Sequence, residues 1–187
     1  LFKGYGFGLL MINAQFQLTI FGVVLPVISE THFGLVKDSD NYKSFYSQCY
    51  SFFTLFKTFG VLTSGLIIYN RRRFPILITI ATLIVLINLI LLVSPNLSLV
   101  IGLRAMMGFL CGLVTGMFTL IIAELNTTLI SGTFLNVIGV SLSLGGLSSI
   151  LVNYICIYWE EYGWVIAMSY SMALAGGNMG FLLVWGR

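Results

Sequence analysis

The side chains with chemistry to offer are few, and each sits in or beside a long apolar run. Asn13, Gln15 and Gln17 interrupt one such run, Lys57 lies inside a second, and Arg104 and Glu124 bracket a third. Arg71, Arg72 and Arg73 form a basic triplet between two of them. Amides can hydrogen-bond a ligand or bridge helices, but they take up no proton near neutral pH. An isolated ammonium in hydrocarbon is costly. Lys57 must therefore snorkel to one side or face a partner carboxylate or water-filled cleft. At about twelve residues from its helix end the snorkelling reach is long. The partner-facing reading is the sharper expectation. Acid–base, nucleophilic and metal chemistry have no support: no Ser/His/Asp set, ligand cluster or phosphate loop can be marked. The sequence thus implies no enzyme, no cofactor and no metal. His32 is the only histidine and falls in a polar loop. Cys49, Cys111 and Cys156 are odd in number and each falls in a predicted helix, so they form neither a disulfide framework nor a metal site.

The elements that must hold these groups are membrane helices. The chain has 187 residues, 58% hydrophobic and 8% charged, with mean hydropathy +1.02. Those values lie outside the range of soluble domains. A net charge of +3, scattered along the chain, gives no reason to expect nucleic acid. Six apolar segments are predicted, at about 6–28, 46–69, 74–94, 98–124, 131–157 and 164–186. They make one all-α, polytopic domain over 1–187, and the unbroken runs argue against a β-barrel. Connections are short except 29–45, which carries Glu30, Lys37, Asp38, Asp40 and Lys43.

On alternate faces, Lys3, Arg71, Arg72, Arg73 and Arg187 gather on one side. The positive-inside rule then puts both termini on the cytoplasmic side, or its equivalent in an organelle. Trp159, Tyr162 and Trp164 fit an interfacial aromatic belt. The chain opens on Leu1 without a cleavable leader, so a missing or processed N-terminus is expected.

The fourth segment is the most informative. Gly108, Gly112 and Gly116 are four residues apart, which on an α-helix makes one row along one face. Such a row lets a second backbone approach closely, the usual device where lipid removes the hydrophobic drive. Arg104 and Glu124 are read as charges near the two ends, about 30 Å apart at 1.5 Å per residue.

Arg104-x3-Gly108, Cys111-Gly112-Leu113, Thr115-Gly116 and Glu124 together resemble the fourth helix of the sugar-porter branch of the major facilitator superfamily, above all the hexose facilitators. Leu25-Pro26-Val27-Ile28 is similar to that family's A-L-P-x-I, and Gly65-Leu66 followed by Arg71–Arg73 resembles its loop between helices two and three. The resemblance implies a 3+3 helix arrangement equal to the N-terminal half of a two-half transporter, with substrate between the halves. It implies Asn13, Gln15 and Gln17 as weak substrate-binding candidates, and a gating pair between Glu124 and one of Arg71, Arg72 and Arg73. Helix three, uniformly apolar from Ile76 to Val93 with Asn88 its one mid-span amide, reads as a lipid-facing or peripheral span, consistent with its place in that family's fold.

The departures fall at the substrate and coupling positions. Proton-coupled relatives have aspartate where this chain has Gln17. Ser131 replaces the arginine that opens helix five, and Gly139 stands where the family places a sugar-binding glutamine. Only Gly145 keeps that helix's small-residue packing. Each buried sugar hydroxyl left unpaired costs free energy, so recognition needs several convergent polar groups. Helix five offers almost none. The expectation is a degenerate sugar-porter half kept as a structural or accessory subunit of a larger membrane complex. The alternative is the N-terminal half of a facilitative, not proton-coupled, sugar carrier. Its expected partners are the lipid bilayer, other membrane subunits or a second six-helix half, and a hexose if transport is retained.

Overall fold

The computed structural model describes residues 10–20, 40–68, 73–93, 96–124, 128–159 and 162–185. Among these residues the chain is all-helical, with no strand. Helix α1 covers residues 10–20. The others are α2 (Asp40–Ile68), α3 (Arg73–Val93), α4 (Leu97–Glu124), α5 (Thr128–Tyr158) and α6 (Gly163–Trp185). Four of them, α2 to α5, are long and apolar enough to cross a membrane.

Helices α3, α4 and α6 begin and end within a residue of the expected segments. Helix α2 differs: it starts at Asp40, so Asp40 and Lys43 belong to its first turns and not to a loop. An acidic side chain in the first turn complements the amide dipoles there, which favours early initiation. At α4, the Asn96 carbonyl accepts the Val100 amide at 3.1 Å, placing Asn96 at the N-cap. Pro75 lies in the first turn of α3, where its missing N–H costs nothing.

Helix α1 runs through the middle. Its Leu10, Met11, Ala14, Phe16 and Ile20 are all buried, and Phe16 meets the Tyr170 ring of α6 at 4.8 Å. Helix α2 packs chiefly on α4, and α3 on α6. Helix α3 is not simply a lipid-facing span. Leu77, Ile80, Ala81, Ile84, Asn88 and Leu91 are buried on one side, while Leu83, Leu86, Ile90 and Val93 face outward. Asn88, fully buried, lies on that inward face.

The α2–α4 seam is set by glycine. A Cβ on Gly108 would strike the Phe53 carbonyl, and one on Gly112 would strike that of Lys57 and come 3.0 Å from the Gly60 Cα. A Cβ on Gly116 would meet the Ser64 side chain, with Cβ at 2.7 Å. The row faces a neighbouring helix, and the two backbones touch along three turns. Gly145 does the same for α5 against α1: a Cβ there would lie 2.5 Å from the Ile12 carbonyl oxygen and 2.8 Å from the Gln15 Cβ.

Candidate functional site

The polar groups converge on α1. Gln17 is buried and occupies the centre of a network that joins four helices. Its Oε1 accepts from Arg104 Nη1 at 3.0 Å, and its Nε2 donates to Asn88 Oδ1 at 3.3 Å and to the Ser171 hydroxyl. Asn88 Nδ2 donates to Ser171 Oγ at 3.1 Å and to the Ile84 carbonyl at 2.9 Å. The Ser171 hydroxyl donates to Asn13 Oδ1 at 2.9 Å, and Asn13 Nδ2 returns to the Ser171 carbonyl at 3.5 Å. Every member is buried.

This arrangement can hold helices together, and it leaves little for a ligand. An amide has two donors and one carbonyl. Both Gln17 donors and its carbonyl are already engaged, and so are both donors and the carbonyl of Asn88. Such a hydrogen-bonded network in a low-dielectric interior helps to rigidify and specify the packing. The members that these bonds join are amides, a hydroxyl and a guanidinium.

Arg104 lies where the sequence alone does not place it. It is expected near the end of its helix as an interfacial charge. It is instead 1% exposed, seven residues inside α4, with its guanidinium 5.6 Å from the centre of the Phe53 ring. The helix begins at Leu97, so apolar turns on both sides carry Arg104 into the bundle, where Gln17 and an aromatic face receive it. Ser171 and Asn88 are the further members that sequence reading misses. Each is one of a few polar residues on a largely apolar helix, and its role depends on neighbours from other helices.

The remaining candidates scatter. Gln15 is half-buried on the α1 side that meets Gly145, away from the network. Lys57 is half-buried on α2, and among the described residues no carboxylate pairs with it. Arg71 and Arg72 lie outside the described residues, as do the side chains of Arg73 and Glu124, so the gating pair does too.

Gly139 is exposed and lines a shallow groove on α5 with Asn136, Val140, Ser143, Leu144 and Leu147. Asn136, one turn earlier, is an exposed amide on that same surface. Helix five is therefore less barren than the sequence implies. Nothing lies within 4 Å of a Cβ built on Gly139. Gly139→Gln is expected to be tolerated, with thermal stability unchanged or raised by up to ~1 kcal/mol from helix propensity. A loss larger than that in detergent would show that something covers this face.

A sequence model of the family described as Sugar (and other) transporter matches residues 9–186, nearly the whole chain. No curated protein matches it.

Proposed function

The chain belongs to the sugar (and other) transporter family, and from that premise we propose that it acts as one six-helix half of a larger transporter-type membrane assembly, in a structural or accessory role. Its part is to supply a rigid, glycine-packed body that moves as a unit. It does not by itself recognise sugar. The observation that carries this reading is the closed network around Gln17. Asn13 and Gln17, the best amide candidates for a sugar hydroxyl, are buried and spent on Arg104, Asn88 and Ser171. Opening them to a ligand would leave buried polar partners unsatisfied, at about 1–3 kcal/mol for each group.

A second reading is favoured by Asn136. This exposed amide on α5 could take the place of the missing glutamine in a facilitative carrier whose other half completes the pocket. Either way, proton coupling at the Gln17 position has no titratable group to use. The test is isolation of the chain with its partners from native membranes, followed by hexose uptake by the complex with wild-type chain and with Asn136→Ala. The accessory reading expects equal uptake with both. A substrate-specific loss would move the chain to the carrier reading.

Both readings place the termini, Arg71–Arg73 and Glu124 on the cytoplasmic side, with a 3+3 helix order. There Glu124 is expected to pair with one of the three arginines. At a wet interface such a pair contributes little, on the order of 1 kcal/mol or less. Glu124→Gln should therefore lower stability by no more than that, and less still in high salt. A salt-independent loss of several kcal/mol would contradict an interfacial pair.

A further inference from the structure

We propose that the open face of α2 beside Lys57 docks a membrane-spanning segment that carries an aspartate or glutamate at mid-depth. The inference rests on the reading of this chain as part of a larger membrane assembly, and it specifies the chemistry of the partner.

The face is defined by burial along α2. Phe53, Gly60 and Ser64 are buried against α4. Tyr50, Ser51, Thr54, Thr58 and Val61 are exposed. Lys57 is half-buried at the border between the two sets, in one row with Tyr50, Thr54 and Val61 at helical spacing. The threonine hydroxyls need no partner, because Thr54 donates to the Tyr50 carbonyl at 3.0 Å and Thr58 to the Thr54 carbonyl at 3.1 Å. The ammonium is the group on this face that demands one.

Among the described residues no carboxylate reaches it. The six acidic residues are Glu30, Asp38, Asp40, Glu124, Glu160 and Glu161. Glu30, Asp38, Glu160 and Glu161 lie outside the described residues. Asp40 opens α2, seventeen residues before Lys57 and so about 25 Å away along the axis. Glu124 ends α4, twelve residues beyond Gly112, the position level with Lys57, which is about 18 Å. Ile68, the last residue of α2, is eleven residues on, about 16 Å, beyond the reach of a snorkelling lysine. The other mid-span cation, Arg104, is received inside the bundle by Gln17 and the Phe53 ring. A neutral occupant would leave the Lys57 ammonium in hydrocarbon, which is strongly unfavourable. A carboxylate brought by the neighbour neutralises it in a low-dielectric site, where attraction at contact distance is strong.

The experiment places a photo-cross-linking residue at Thr54 or Thr58 in the full chain, irradiates the native membranes, and maps the adduct by mass spectrometry. The expected adduct is a membrane-spanning segment with Asp or Glu within one turn of the attachment point. Lys57→Glu should lower co-isolation of that partner at least tenfold, and changing its carboxylate to lysine should restore it. Lys57→Arg should keep the partner. Lys57→Met, which removes the charge without reversing it, should fold with an unchanged thermal transition and still lose it. An adduct to a segment without a carboxylate, or full co-isolation with Lys57→Glu, would overturn this inference while leaving the assembly standing. Stabilisation of the isolated chain by inorganic phosphate, abolished in Lys57→Met, would assign Lys57 to a soluble anion and also overturn it. Adducts to lipid alone would sink the assembly reading itself.

Discussion

Gly112→Leu is expected to destabilise the purified bundle by about 3 kcal/mol or more, through overpacking that no rotamer can relieve. The clash begins at Cβ, which would run into the Lys57 carbonyl and approach the Gly60 Cα to 3.0 Å. Both are backbone atoms of a packed helix, so α2 must move away from α4 as a whole. In lipid that separation also forfeits the close packing that substitutes for a hydrophobic drive between helices. Gly102→Ala on the same helix is the matched control. Nothing lies within 4 Å of its Cβ, and alanine should stabilise by up to ~1 kcal/mol through helix propensity. Thermal unfolding in detergent separates the two outcomes. Equal stability of Gly112→Leu and wild type would mean that the glycine row does not face α2.

Gln17→Leu should be of comparable severity, on the order of 3 kcal/mol, for an electrostatic reason rather than a steric one. It removes an acceptor from a buried guanidinium and two donors from Asn88 and Ser171, each group costing about 1–3 kcal/mol when left unmade. Adding Arg104→Met should recover part of the loss, since the cation that needed the amide is gone. A double-mutant cycle measures that coupling directly. A Gln17→Leu protein within 0.5 kcal/mol of wild type would contradict a structural network.

The two effects differ in how visible they are beforehand. Gly108, Gly112 and Gly116 can be read from spacing alone, because a row of small residues has one strong use in a membrane helix. The ends of α3, α4 and α6 follow from apolar runs for the same reason. The depth of Arg104 is less legible. A charge near the start of an apolar run reads as its boundary until partners from another helix, here Gln17 and Phe53, show that it can be buried. Asn88 and Ser171 are harder still. One polar residue among several on a largely apolar helix cannot be singled out until the other three helices are placed around it. Asn136 is less legible because the aligned position, Gly139, lies one turn away from this exposed amide.

In the proposed role this chain provides a body for a transporter-type assembly without recognising sugar by itself. The most direct measurement is uptake of labelled D- and L-glucose by liposomes holding the purified 187-residue chain. The expected result is no difference between the enantiomers, no saturation, and uptake equal to empty vesicles. Saturable uptake of D-glucose well above L-glucose would contradict it, since the Gln17 network would then have to open to a sugar in the isolated chain.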